Sequence, residues 1–426
     1  MTKLQLTLAL SALLVSGSIG TAADEQVAIQ PEANASDGIS PLEVLWEAQA
    51  VLNVDRDKVA HIVNDEDVVF VQSTAGVVTA INAETGREMW TTQVGRTDEI
   101  SMPATSNADI VMIVTGPALY AIDKFSGRQL FSYRLNSPPS AGPVITGGSF
   151  FVPLTDTSVA ACALKHLQYL ERNHKLPPGV AQAIAWRFVT GEVITRAPVA
   201  GSSRVAFVTD LGNIFVVDIG GVQAGKSKFQ FLLRSQPTAP LTLVSRDQEY
   251  LLAAAANNRL FCIGMNTNGR MQWTFPLGHR ASDPITVIGQ DVYVVDDAGE
   301  LMSLGLKSGL PMLTGDGKPL VMKDVKTLVS VTKQAFYVID SSGRLLTVDR
   351  KSGAVVAKNE YPGLTVPVRN SVTDRLYLSS TSGRVVCLKE SGIDFPIYHQ
   401  NPERSPIMPE IAEPTPVVAE PANENN

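Results

Sequence analysis

Short apolar runs recur along the chain, and polar turns separate each run from the next. The first copy, VVFVQSTAGVVTAINAETGREMW, spans 68–90, and the second, IVMIVTGPALYAIDKFSGRQLF, spans 110–131. A near-constant period of this kind indicates a repeat fold, because one such unit cannot bury its apolar side alone. Aligned on one apolar position, the copies fall at Ile81, Ile122, Leu164, Val217, Ile263, Leu304, Val348 and Leu388.

Each copy predicts four short strands. The second and third strands are apolar, and a tight turn joins them with glycine, as at Gly212 and Gly343, where a short hairpin needs a positive φ. A first strand opens with proline in six copies, a position where the sheet loses no hydrogen-bond donor. The prolines are Pro103, Pro143, Pro198, Pro240, Pro284 and Pro367. The fourth strand carries one large residue, namely Trp90, Phe131, Trp186, Phe231 or Trp273.

The two ends of the repeat region complement each other. The eighth copy contains RLYLSS and RVVCLKESG but no fourth strand, and the segment LEVLWEAQ at 42–49 places Trp46 in the register of Trp90. A sheet array closed into a ring in this way leaves no exposed edge strands. We therefore predict an all-β fold, an eight-bladed β-propeller of four-stranded antiparallel blades, closed by an N-terminal strand that completes the last blade.

The segments outside the repeats differ from them in composition. Residues 1–23 combine Lys3, an apolar stretch and small residues, which predicts a secretory signal peptide. Residues 24–41 predict a flexible acidic linker, 42–394 the propeller, and 395–426 a disordered tail rich in proline and glutamate. No cysteine lies directly after the apolar stretch to carry a lipid, and no later apolar stretch is long enough to span a membrane. We expect a soluble, exported protein of the periplasm or the extracellular space, and a monomer.

The net charge and the few reactive residues limit the kinds of ligand and reaction that this chain could serve. The net charge of −7 argues against a nucleic-acid partner. Cys162, Cys262 and Cys387 fall in repeats that are not neighbours, so we expect buried free thiols and no disulfide. His166 and His174 lie eight residues apart, which is too small a set for a zinc site. Two acidic turns, at 65–67 and 296–300, lack the ordered spacing of a calcium loop. We expect no catalytic residues, no metal and no cofactor.

The segment from Ala80 to Trp90, with Asn82, Thr85 and Gly86, resembles the tryptophan-docking motif of the pyrroloquinoline-quinone-type propeller family. The resemblance covers roughly 42–392. It implies that Trp46, Trp90, Phe131, Trp186 and Trp273 dock against the next blade. It also implies two kinds of function. Quinoprotein alcohol dehydrogenases of this family hold a quinone beside adjacent cysteines, which this chain lacks. Outer-membrane β-barrel assembly factors of the BamB type match it in size and export signal, although they carry a lipidated cysteine.

Two features are candidates for binding a partner. The pattern at 163–173 predicts a helix inserted in blade three, whose apolar side either packs on the propeller or docks a partner. The loops between blades carry Arg96, Arg196, Arg280 and Asp283, and we expect them at the mouth of the central channel, where arginines suit an acidic peptide or a carboxylate.

The leading hypothesis is an exported, non-enzymatic scaffold that binds a protein partner in the cell envelope, in envelope or outer-membrane assembly. The alternative hypothesis is a degenerate quinoprotein oxidoreductase that uses pyrroloquinoline quinone. A third hypothesis, a binder of carbohydrate, is disfavoured because every tryptophan falls on a predicted docking strand.

Overall fold

The computed structural model describes residues 39–173, 184–281, 283–400 and 403–404. Its strands form eight four-stranded sheets in which every neighbouring pair is antiparallel. In seven sheets the four strands follow one another in the chain, so each sheet is one blade. The first strands of neighbouring blades lie beside each other and line the central channel. The predicted all-β, eight-bladed propeller is confirmed.

The strand β1 (Leu42–Gln49) belongs to the last blade. Blade 1 holds β2 (Val59–Asn64), β3 (Val68–Ser73), β4 (Val77–Asn82) and β5 (Glu88–Gln93). Blade 2 holds β6 (Thr105–Ser106), β7 (Ile110–Thr115), β8 (Ala118–Asp123) and β9 (Gln129–Arg134). Blade 3 holds β10 (Val144–Ile145), β11 (Ser149–Leu154), β12 (Ser158–Ala163) and β13 (Ile184–Val189), with the helix α1 (Leu164–Arg172) before β13. Blade 4 holds β14 (Val199–Ala200), β15 (Arg204–Val208), β16 (Asn213–Asp218) and β17 (Ser227–Leu232), with a short 3-10 helix at Gly221–Gln223.

The second half of the ring repeats this order. Blade 5 holds β18 (Thr242–Ser245), β19 (Glu249–Ala255), β20 (Arg259–Gly264) and β21 (Met271–Pro276). Blade 6 holds β22 (Thr286–Ile288), β23 (Asp291–Val295), β24 (Leu301–Gly305) and β25 (Val321–Met322). Blade 7 holds β26 (Val325–Val331), β27 (Ala335–Asp340), β28 (Leu345–Asp349) and β29 (Val355–Asn359). Blade 8 holds β30 (Val366–Val368), β31 (Leu376–Ser379), β32 (Arg384–Glu390) and β1.

The ring closes where the sequence predicts. The strand β1 pairs antiparallel with β32, and Trp46 lies opposite Cys387. Apolar cores then form between blades, as where Phe70 and Val78 of blade 1 pack with Ile113 of blade 2. Because each core lies between two blades, no blade can bury its apolar side without its neighbour.

Four tryptophans share one geometry, in which the indole Nε1–H donates to a carbonyl of the next blade. The bonds run from Trp46 to Ala83 at 2.9 Å, Trp90 to Lys124 at 2.8 Å, Trp186 to Ile219 at 3.2 Å and Trp273 to Leu306 at 2.7 Å. The ring of Trp46 covers Gly86, where an added Cβ would lie 2.6 Å from the indole. Gly86 also has a φ of +68°, so this loop position strongly favours glycine.

Blade 2 uses Phe131 in place of tryptophan, and α1 stands beside it. Phe131 is 1% exposed and clusters with Leu164 and Leu167 of α1. Leu170 is also buried, while Lys165 and Tyr169 are exposed. The predicted helix is confirmed, and its apolar side packs on the propeller.

Two docking positions were not identified from the sequence. In blade 4 it is Phe229, not Phe231, that covers the loop glycine of the next blade, Gly269. In blade 6, for which no docking residue is predicted, Leu320 covers Gly353, and Met312 accepts a hydrogen bond from Ser303. The chain between Met312 and Leu320 forms an extra turn, which moves the docking position along the sequence.

Two further predictions need correction. None of the six prolines is the first residue of its strand: Pro367 is the middle residue of β30, and the other five lie one or two residues before the first strand of their blades. The predicted disordered tail begins too early, since Ile397 and Tyr398 are packed against blade 8. Residues 1–38 and 405–426 lie outside the described residues, so the signal peptide, most of the linker and the rest of the tail stay predictions.

Candidate partner-binding face

The antiparallel blades give the ring two different faces. One face carries the turns inside each blade between strands one and two and between strands three and four, such as 65–67 and 83–87. We call it the docking face, because the carbonyls that receive the tryptophans lie there. The opposite face carries the hairpins between strands two and three and the linkers between blades, such as 94–104, 190–198 and 360–365. We call it the linker face.

The linker face holds all four predicted binding residues, but only two of them are exposed. Arg96 forms an ion pair with Asp98 at 3.0 Å, and both side chains are mostly in solvent. Arg280 is exposed, and its carbonyl accepts the backbone N–H of Asp297. These two arginines therefore present positive charge at the surface. Asp98 partly offsets the charge of Arg96.

Arg196 has a structural environment. Its Nη2 donates to the carbonyls of Pro237 and Thr238, each at 3.1 Å, and so fastens one linker to the next. The side chain is half-buried, and loss of hydration lowers the pKa of Arg196. The two carbonyls occupy Nη2 of Arg196, and its buried Nε has no hydrogen-bond partner among the described residues.

Asp283 lies inside the channel. Arg369 donates to it through Nη2 at 2.6 Å and also contacts Thr327 Oγ1 through Nε at 3.2 Å. One arginine of blade 8 thus bridges blades 6 and 7. No local sequence pattern predicts this contact, because Asp283 and Arg369 are 86 residues apart. A cavity of about 390 Å³ next to them is also lined by Asn64 and Lys326.

The linker face also exposes apolar side chains, which the sequence analysis missed. Ile100 is 81% exposed, Leu211 59% and Val193 40%. The backbone N–H of Asp210 donates to the carbonyl of Val193 at 2.8 Å, so the hairpin with Leu211 lies against the linker with Val193. Exposed apolar residues beside arginine are typical of the centre of a protein–protein interface.

Charge pairs fasten the docking face, which also exposes apolar side chains such as Val222 at 91% and Leu310 at 66%. Lys124, only 3% exposed, contacts Asp65 at 2.8 Å and Asp67 at 3.2 Å. Burial raises the pKa of Asp67, and the nearby ammonium of Lys124 opposes that rise. Arg404 pairs with Asp67 and Glu66. The acidic turn at 65–67 is therefore occupied by cations of the same chain.

A C-terminal clasp, Asp394–Gln400 with Arg404, crosses the docking face at the closure. Ile397 N–H donates to Asp374 Oδ1 at 2.9 Å, and Tyr398 is fully buried in a bridge to Thr373. Beneath the clasp, Arg375 pairs with Glu84 of blade 1 at 3.0 Å, with the arginine side chain 1% exposed. This buried pair and the clasp reinforce the closure that β1 makes.

The reactive groups are few in the part of the chain that the structure describes. The cysteines are free and buried, and burial raises the pKa of Cys162 and of Cys262 to about 12. No group of three or more His, Cys, Asp or Glu side chains there could hold a metal ion. His166 is exposed on α1, and His174 lies outside the described residues. Among the described helices, none is long and apolar enough to cross a bilayer.

The fold and the tryptophan-docked loops define a β-propeller of the pyrroloquinoline-quinone-like repeat class. The family model for the outer membrane protein assembly factor BamB matches residues 42–312 and 235–392, and the chain belongs to this family. Over 278 residues the chain is 24% identical to "Outer membrane protein assembly factor BamB" of Burkholderia pseudomallei, covering 62% of this chain and 70% of that protein.

Solved structures share the fold. The crystal structure of BamB from Moraxella catarrhalis aligns with a TM-score of 0.60 and 17% identity, over 83% of this chain and 98% of that one. The computationally designed Ika8 protein also aligns with a TM-score of 0.60, at 12% identity, over 81% of this chain and 99% of that one. At these identities the two structures show a shared fold, which by itself specifies no function.

Proposed function

We propose that the protein is an exported, non-enzymatic scaffold that binds a protein partner in outer-membrane protein assembly. The observation that carries this proposal is the BamB family match across the propeller. The family name supplies the process, and the structure supports a role in binding through its two unlike faces. The partner lies in the cell envelope, and the scaffold acts there in the periplasm.

We assign partner binding to the linker face. Val193 and Leu211 supply the apolar centre of the interface, and Arg280 supplies an exposed cation near the rim. Arg196 and Asp283 keep their neighbouring linkers and blades in position through the bonds to Pro237, Thr238 and Arg369. An interface of this kind combines an apolar centre, excluded from water, with a polar rim.

The test is co-purification of outer-membrane assembly proteins from envelope extract with Leu211→Asp. We expect at least about a tenfold loss of captured partner, because a carboxylate would be desolvated at the centre of the interface. Val222→Asp is the matched control, since Val222 is 91% exposed in the same blade but on the docking face. Equal capture by both variants and the unchanged protein would contradict the assignment.

Export has its own test. The mature protein from the native host should begin after the predicted signal peptide at 1–23, which intact mass measurement would show. A mass that includes these residues would contradict the proposed export.

The oxidoreductase alternative is tested by adding pyrroloquinoline quinone with calcium to the purified protein. The scaffold proposal expects no shift of the melting temperature and no dye-linked activity. A saturable shift together with activity would favour the enzyme instead.

A further inference from the structure

A cleft opens on the linker face between blades 7 and 8. Its volume is about 570 Å³, and it is bounded by the hairpin at 341–344 and the linker at 360–365. Ile339, Leu364 and Pro362 contribute apolar walls. Cavities of this size accommodate a few amino-acid side chains or a small ligand. The cleft lies on the face that we assign to partner binding.

Tyr361 lines this cleft and has an unsatisfied hydroxyl. Its side chain is 8% exposed, and within the described part of the chain no group hydrogen-bonds to the hydroxyl oxygen. Burial raises the pKa of Tyr361 to about 12, so at neutral pH the hydroxyl keeps its proton and is able to donate a hydrogen bond. A buried donor without a partner destabilises the protein. The hydroxyl oxygen itself is buried, so an acceptor on a ligand satisfies it only when the Tyr361 side chain turns toward the cleft.

Charge distinguishes the two ends of the cleft. Lys326 lines both the cleft and the channel cavity beside Asp283, so it marks the channel end. It is exposed and has no ion-pair partner among the described residues. Arg344, by contrast, is already paired with Asp340 at 2.8 Å. Glu360 lines the cleft but not the channel cavity, so it lies away from the channel end. Its negative charge repels a ligand carboxylate there, which leaves Lys326 as the favourable position for one.

We propose that this cleft binds an extended peptide segment of a partner, with an apolar side chain against Ile339 and Leu364, an acceptor at the Tyr361 hydroxyl, and a carboxylate at Lys326. The proposal rests on the proposed scaffold function and names the chemistry of the segment that the scaffold receives. It also uses a part of the linker face distant in sequence from Val193 and Leu211.

The experiment measures fluorescence polarisation of a labelled alanine-rich peptide that carries one leucine followed by one glutamate. The peptide should bind the unchanged protein saturably at or below about 1 mM. Lys326→Met should weaken binding about tenfold, because it removes a charge-assisted contact. Lys226→Met is the matched control, since Lys226 is exposed on the docking face, and it should leave the affinity unchanged.

Tyr361→Phe gives a second and independent readout. This substitution should weaken peptide binding roughly three- to tenfold. It should not lower the midpoint of unfolding, because the hydroxyl has no hydrogen-bond partner to lose among the described residues. A lowered midpoint would show that the hydroxyl is already satisfied within the protein, and would overturn the assignment of Tyr361 to the ligand.

The outcomes separate this inference from the proposed function. Lack of saturable peptide binding, or equal loss in Lys326→Met and Lys226→Met, would overturn the cleft proposal even if envelope partners are captured. Saturable binding that depends on Lys326, without any captured envelope partner, would instead contradict the assembly role and leave the cleft as a peptide site.

Discussion

The two faces of the ring differ in what their side chains contact. On the docking face, tryptophan indoles, buried charges and the C-terminal clasp are bonded within the chain, as in the pair of Arg375 and Glu84. On the linker face, Ile100 and Leu211 are exposed. Exposure alone does not separate the faces, because Val222 is 91% exposed on the docking face, and the hydroxyls of Tyr361 and Tyr398, one on each face, both lack a partner among the described residues. The difference between the faces lies in the ring-closing bonds of the docking face, and partner binding is the role that we propose for the linker face.

This division has a physical consequence. Substitutions of buried, bonded side chains on the docking face should reduce the free energy of unfolding, since they leave cavities or unpaired buried charges. Substitutions on the linker face should reduce partner binding with little change in stability, since the exposed side chains there make few internal contacts.

The largest effect is expected at the closure. Trp46→Ala should lower the free energy of unfolding by about 3–5 kcal/mol, since it removes a buried indole and its bond to Ala83. Chemical denaturation measures the loss. Trp46→Phe, which keeps an aromatic ring but not the N–H donor, should cost clearly less. An equal cost for both would mean that ring packing contributes nothing.

The buried ion pair under the clasp comes next. Arg375→Met should cost about 3 kcal/mol, because it leaves Glu84 buried without its cation. Burial already raises the pKa of Glu84 against the effect of Arg375, so the carboxyl would then become still harder to ionise. Adding Glu84→Gln should recover part of the loss. A double variant as unstable as the sum of the single variants would contradict coupling of the pair.

A smaller effect is expected on the loss of folding stability at acid pH. In the docking-face loops, hydrogen bonds from Ser126 and Ser352 lower the pKa of Asp123 and of Asp349. A lowered pKa adds stability above the unfolded value of 3.8, and this stability disappears as the pH falls through the folded pKa. Asn82 accepts the equivalent bonds in blade 1 without titrating.

The double variant Asp123→Asn with Asp349→Asn should therefore lose less stability than the unchanged protein between about pH 5 and pH 3. Denaturation midpoints at each pH measure the difference. Asp55→Asn, at an exposed residue outside these loops, is the control. Parallel acid curves for the double variant and the unchanged protein would refute the role of the two carboxylates.

The smallest effect on stability is expected on the linker face. Arg280→Ala should change the free energy of unfolding by no more than about 0.5 kcal/mol, since its side chain is exposed and makes no described ion pair. Its affinity for the partner should nevertheless fall. A large loss of stability would show that the arginine also supports the fold.

Much of the fold was predictable because the same pattern of strands and turns recurs along the chain. The closure by 42–49 and the helix at 163–173 both followed from local pattern, and both are confirmed. Phe229 was missed because Phe229 and Phe231 lie on the same side of one strand. The spacing of four residues from the loop glycine, as from Gly86 to Trp90, selects Phe229 after Gly225. The four-residue spacing from the loop glycine does not identify Leu320, because an extra turn lengthens the loop before it.

The candidate site was less predictable. Arg196 and Asp283 were identified by residue type, yet their partners come from other blades and leave only Arg96 and Arg280 exposed. Neither the free charge of Lys326 nor the unsatisfied hydroxyl has a local signal. Such features depend on which loops the ring brings together, and a sequence of repeats does not specify these contacts residue by residue.

The central claim is that partners bind the linker face, and site-specific photo-crosslinking in envelopes tests it most directly. Crosslinkers at Ile100 and Arg280 sample the linker face, and those at Phe125 and Val222 sample exposed positions on the docking face. The account predicts crosslinks to outer-membrane assembly proteins from the first two positions and none from the second two. Crosslinks from Phe125 and Val222 alone would contradict it.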